Sequence, residues 1–163
     1  MKAALPRNQA ALSDLSAGDD SPLACTGGRA RKLTRRMTSF YEQHLRRIGL
    51  KLSQYSVLMN ISSEPQALQH IAANLEMDRT TLTRSLTALV EKGWVAEMPG
   101  GDARQRRLVL TPAGQKFRSE AHQVWREAQF ALEAQLGRNF VASLNAQLER
   151  ALSQLKPALP EDN

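Results

Sequence analysis

Six side chains within nine residues, Arg79, Thr80, Thr81, Thr83, Arg84 and Thr87, form the densest group in the chain with a chemistry in common. Guanidinium donors and short hydroxyls are the groups that reach base edges and phosphate oxygens. No carboxylate interrupts them before Glu91. Threonine is β-branched and a mediocre helix former, so four in eight residues are better explained by recognition than by helix stability. A second group follows in Asp102, Arg104, Arg106 and Arg107. From Arg79 to Arg107 six Lys and Arg face three Asp and Glu, a surplus that suits a surface turned toward phosphates.

Other chemistries find less support. Cys25 is the sole cysteine, which excludes an intrachain disulfide and a multi-cysteine metal site. Arg29, Arg31 and Lys32 close by favour a thiolate, so Cys25 is a candidate redox sensor. With no second cysteine in the chain, oxidation would end in a mixed disulfide or a bridge between two copies. Gly27 and Gly28 are expected to interrupt the helix that would hold its sulfur. His44, His70 and His122 fall on three different predicted helices, which is poor spacing for a metal, and no cofactor is implied. No nucleophile sits at a recognisable distance from a base, and there is neither a glycine-rich phosphate loop nor a paired-carboxylate motif. The chain does not read as an enzyme.

The elements that must hold the first group follow from the apolar pattern. Leu82, Leu86, Leu89 and Val90 recur at i, i+4, i+7 and i+8, the buried stripe of a helix whose opposite face carries the Thr and Arg residues. Asp78 is placed to cap its N-terminus through Thr80 or Thr81, and Gly93 to end it in the left-handed region. Upstream, Leu68, Ile71 and Ala72 mark a short helix joined by a tight Asn74–Met77 connection, the spacing of a helix-turn-helix, with Ala72 small at the crossing. Downstream, Trp94–Met98 and Arg107–Leu110 are β-prone runs about Pro99, Gly100, Gly101 and Asp102, which predicts a hairpin. An arginine on such a wing enters a narrow minor groove, and Arg104 is the choice for that role, with Asp102 clamping a neighbouring guanidinium.

These residues, MDRTTLTRSLTALVEKGWV followed by DARQRRLVLTPAG, resemble the winged helix-turn-helix of the multiple-antibiotic-resistance regulator (MarR) family. The likeness extends from about Arg31 to Leu136. The resemblance implies a homodimeric repressor on duplex DNA at a pseudo-palindromic operator. It also implies a small phenolic or other hydrophobic effector, bound between the DNA-binding lobe and the dimerisation helices. The family's Asp-x-Arg wing motif falls on Asp102 and Arg104. Peroxide-sensing members carry a reactive cysteine near the start of their first helix, a position Cys25 shares. Two alternative readings remain: a winged-helix protein-interaction module without DNA binding, and a one-cysteine redox protein without an operator.

The flanking segments supply the rest. Residues 1–24 have no sustained period and read as a mobile arm. A helix is predicted over Arg29–Arg47, with Phe40, Tyr41 and His44 on its apolar face. Those three and Tyr55 are candidates to line the effector pocket. Gly49 should end this helix and Ser53 cap the next, with Leu52 and Val57 as a hydrophobic staple. Thr111 and Pro112 open a helix of roughly 25 residues, roughly 37 Å long. The last helix, from about Arg138 to Leu155, has an apolar seam that calls for a partner. The expected organisation is mainly α with a small β-hairpin wing, a winged lobe over 53–112 and dimerisation helices over 25–50 and 113–160. At 163 residues, 42% of them hydrophobic but only 5% aromatic, the chain can fill one core built largely of Leu, Ala and Val. A net charge of +6 and pI near 10.0 suit a polyanionic partner without choosing one. No apolar run is long enough to span a membrane and MKAALPRNQAALSDL has no signal-like apolar stretch, so a cytoplasmic location is expected.

Overall fold

The computed structural model describes residues 25–99 and 106–155. Helix α1, Thr26–Leu45, begins directly after Cys25, whose carbonyl accepts the first-turn N–H of Arg29 at 3.1 Å. Gly27 and Gly28 therefore do not interrupt it: a glycine in a first turn forgoes little, because the N–H groups there have no intrahelical partner in any case. The described residues divide into two compact units within α1, one ending at Thr38 and the other beginning at Ser39. Up to Arg36 every residue of the first unit is exposed. In the second unit, Tyr41 and His44 are half-buried and Leu45 is fully buried. A 3-10 turn, Arg46–Ile48, ends as expected at Gly49, φ 65°.

Helix α2 spans Leu52–Asn60 with Lys51, not Ser53, at its cap position. Gln54 Oε1 accepts the Lys51 N–H at 2.9 Å, which satisfies the turn without a serine hydroxyl. The register of the expected staple moves back two residues, onto Leu50 and Tyr55, both buried. Strand β1, Gln66–Ala67, leads straight into α3, Leu68–Leu75, and a tight turn joins this to α4, Arg79–Glu91. Strands β2, Val95–Pro99, and β3, Arg106–Leu110, pair antiparallel with Val95 opposite Leu110. The expected two-stranded wing is part of a three-stranded sheet ordered β1-β3-β2, because Gln66 and Ala67 pair with Leu108 and Arg107. Two residues carry no alternation, so this strand has no sequence signal.

One apolar cluster underlies the lobe: Ile71 from α3, Leu82 and Leu89 from α4, and Val95, Leu108 and Leu110 from the sheet, all at most 3% exposed, meet Val57, Leu58 and Ile61 from α2 and its end. Helix α5, Pro112–Leu136, opens with the expected Thr111 cap, whose hydroxyl accepts the Gly114 N–H at 2.9 Å. Its Ala121 and Val124 close the same core, and Ala128 and Leu132 are buried further along. Helix α6, Arg138–Gln154, buries Val141 alone and leaves Phe140, Leu148, Leu152 and Leu155 exposed. None of the described helices is long and apolar enough to cross a membrane.

Candidate nucleic-acid interface

The site is built on α4, which is fixed at both ends. Asp78 Oδ1 accepts the Thr81 N–H at 2.9 Å and Oδ2 accepts the Thr81 hydroxyl at 2.6 Å. These bonds favour the charged form and hold the Asp78 carboxyl below its usual range. At the other end Gly93, φ 70°, donates to Val90 O at 2.8 Å and Trp94 donates to Leu89 O at 3.0 Å, the paired bonds of a Schellman cap. The buried stripe is Leu82, Leu86 and Leu89, with Val90 half-buried and Ser85 unexpectedly inside at 5% exposure. The turn before α4 closes through Met77 N–H to Ala72 O at 3.1 Å, with Glu76 left-handed at φ 48°. Ala72 packs half-buried against the core.

Arg79, Thr80, Thr81, Arg84 and Thr87 are exposed and Thr83 is half-buried, so the structure brings the whole first group onto one outward face. It also narrows what the threonines offer. Thr83 donates its hydroxyl to Arg79 O at 2.7 Å, Thr87 donates to Thr83 O at 3.0 Å, and Thr81 donates to the cap. Three of the four hydroxyl protons are thus taken up within the helix. What they offer outward is acceptor lone pairs and methyl groups. Among the described residues the donors of this face are Arg79, Thr80 and Arg84.

Beside the helix stands the foot of the wing. Arg106 is tied by both Nε and Nη2 to the Glu97 carboxylate across the β2–β3 ladder, with Nε–Oε2 at 3.0 Å. This pairing raises the Arg106 pKa further and leaves the guanidinium directed rather than loose. Thr83, Leu86 and Thr87 share a crevice with Glu97 and Arg106, so helix face and wing foot are contiguous. Glu97 was not a sequence candidate, and its only signal was its place within the β-prone run Trp94–Met98. Arg107 is exposed on the same strand. Asp102 and Arg104 lie outside the described residues.

Cys25 is exposed at the start of α1. Phe40 contacts Tyr41 edge-on at 6.0 Å between ring centres and lies 5.5 Å from the His44 ring. Tyr41 donates to Gln129 Oε1 at 2.6 Å, and burial raises its pKa. Tyr55 stacks on Trp125 at 6.0 Å, with its hydroxyl 3.3 Å from His122 Nδ1. Burial foremost, with the nearby Tyr41, pushes the Tyr55 phenol up to about 12. Both phenols therefore already have partners on α5. His122 also borders an open cleft of about 360 Å³ lined by Met59, Arg118 and Arg126, none of which the sequence singled out. Arg118, His122 and Arg126 recur at intervals of four along α5, which was the available signal.

Two short helices crossing at a tight turn, the second carrying an outward Arg and Thr face, and a three-stranded sheet beside it define a winged helix-turn-helix protein. Residues 48–105 match the model of the MarR family. An uncharacterized HTH-type transcriptional regulator of Bacillus subtilis (strain 168), YwoH, is 35% identical over 75 residues, 45% of this chain and 55% of that protein. The chain thus matches about half the length of this curated relative. The transcriptional regulator MosR of M. tuberculosis, solved in complex with DNA, is 30% identical, with a TM-score of 0.60 over 78% of this chain and 98% of that one. Wild-type MarR of E. coli in its apo form is 25% identical, with a TM-score of 0.64 over 78% and 97%. The chain belongs to the MarR family. That family consists of transcriptional regulators and not enzymes.

Proposed function

We propose that the protein is a homodimeric transcriptional repressor that binds duplex DNA at a pseudo-palindromic operator in the cytoplasm and is released by a small-molecule or oxidant signal. The observation that carries the reading is the outward face of α4, where Arg79, Thr80 and Arg84 project from a helix pinned by its cap, its Schellman end and a buried leucine stripe. Set in a major groove, the two guanidiniums donate to guanine edges or phosphates, Thr80 donates or accepts, and Thr81, Thr83 and Thr87 accept and offer methyls. Arg106, held by Glu97, takes a phosphate at the groove edge, and Arg104 enters the minor groove with Asp102 shaping the tip. The exposed apolar residues of α6 support a two-fold dimer, which matches paired half-sites. Phe40, Tyr41, His44 and Tyr55 are the residues nearest to an effector site, and Cys25 is the site for an oxidant.

Selection of bound fragments from randomised duplexes, followed by footprinting of the enriched sequence, tests this. A symmetric footprint with two major-groove half-sites one helical turn apart is expected. Retention without any enrichment would leave the winged helix as a protein-interaction module. Release of the footprint by peroxide, absent in Cys25→Ser, assigns the signal to the thiol, and release by a phenolic ligand assigns it to the aromatic site.

A further inference from the structure

The excess positive charge of the chain does not lie on the winged lobe. Between Thr26 and Ile48 there are seven Lys and Arg and one Glu, a net of +6, which is the formal charge of the whole protein. The other 140 residues balance. Five of the seven, Arg29, Arg31, Lys32, Arg35 and Arg36, occupy eight consecutive positions of α1, and all five are exposed. At the α-helical repeat they fall within an arc of about 160° and a length of about 10 Å. Four pairs among them stand three or four residues apart, at spacings where like charges oppose helix formation. Among the described residues none of the five forms an ion pair; the three pairs present involve Arg47, Arg106 and Arg138.

We propose that this face of α1 binds the phosphate backbone of duplex nucleic acid without reading its sequence. Duplex DNA carries one charge per about 1.7 Å of axis, a density that can neutralise five cations within one helical turn and release the counterions they displace. An anionic bilayer fits less well. The facing arc of this segment offers only Leu33, 36% exposed, and a half-buried Met37, too little apolar surface to insert below headgroups. The chain's own acidic side chains Asp14, Asp19 and Asp20 are the other source of negative charge.

The test compares the full chain with R31Q/K32Q/R35Q/R36Q on a duplex of arbitrary sequence, by fluorescence anisotropy between about 50 and 200 mM salt. Glutamine keeps helix propensity, and circular dichroism checks that the helix persists. The slope of log affinity against log salt should become shallower by about 3.6, at about 0.9 for each phosphate no longer neutralised. Were the quadruple variant to unfold, R35Q/R36Q should lower the slope by about 2. R31K/R35K/R36K, which keeps the charges, should leave it unchanged. An unaltered slope in the glutamine variants overturns the proposal, whether because the chain's own aspartates already cover the helix or because the face is only solvated. So does a variant that loses binding to phosphatidylserine vesicles alone. The preference for a selected operator over arbitrary sequence should survive in the glutamine variants. Its absence in the wild type would refute the reading of α4, not that of α1.

Discussion

Arg84 illustrates how much a single position on α4 is asked to do. It is exposed, it has no acidic neighbour on its face, and the leucine stripe holds its backbone in place. Arg84→Ala should cost on the order of 1 to 3 kcal/mol of operator affinity, measured by anisotropy, with an unchanged melting temperature. A loss of stability in step with affinity would mark it as structural. Glu76 is the counterpart on the turn: an L-residue in the left-handed region forgoes about 1 to 2 kcal/mol. Glu76→Gly removes that strain and loses part of the gain to unfolded-chain entropy, so thermal denaturation should show stabilisation of about 0.5 to 1 kcal/mol. Asp78 adds a pH dependence of known sign. Its folded pKa lies below the unfolded value, about 3.9, so its contribution is complete above that value and fades as pH falls through the folded one. Asp78→Ala should therefore lower the melting temperature equally at pH 5 and pH 7, and the difference from wild type should shrink only in strong acid.

At the scale of elements, the junction between the wing and α5 is the least forgiving part of the lobe. Gly114 is buried under the Trp94 carbonyl, and a Cβ there would overlap that backbone. Trp94 O meanwhile accepts the Thr111 N–H at 3.1 Å, and the Trp94 ring stacks on Phe117 at 3.5 Å. Gly114→Ala must push α5 off the strand, with an expected loss of about 3 kcal/mol in chemical denaturation. Lys92 ties the far end of α4 to the turn after α1, donating to Gly49 O at 3.0 Å while lying over the Trp94 ring. The elements themselves were legible. α4 carried a cap, a stop signal and a full apolar period, α5 carried its Thr111–Pro112 opening and a full period, and the structure follows these to within a residue. β1 and the Lys51 cap were not legible, since a two-residue strand has no pattern and a side-chain amide can replace a serine. The threonines were legible as a face but not as donors, because the back-bond of a hydroxyl to the fourth preceding carbonyl depends on a rotamer.

For the whole molecule, the decisive feature is the apolar surface that α6 leaves uncovered. Phe140, Leu148, Leu152 and Leu155 are 45–71% exposed, and on α5 Phe130 and Leu136 add to the unburied apolar area. Leu148→Asp with Leu152→Asp should convert the proposed dimer to a monomer by light scattering and abolish operator binding, since one half-site alone forgoes the linked second half-site. A dimer that persisted would place the interface elsewhere.

Composition, period and capping residues were enough to specify which segments become helices, which face of α4 stays outside and where the cationic residues cluster, because these depend on neighbours a few positions apart. The tertiary structure alone decided that Gln66 and Ala67 complete the sheet, that Glu97 directs Arg106, and that the phenols of Tyr41 and Tyr55 are engaged by Gln129 and His122. Those pairings join residues from 9 to 88 positions apart. Nothing local selects such partners until the core has packed and brought them within a hydrogen bond's reach.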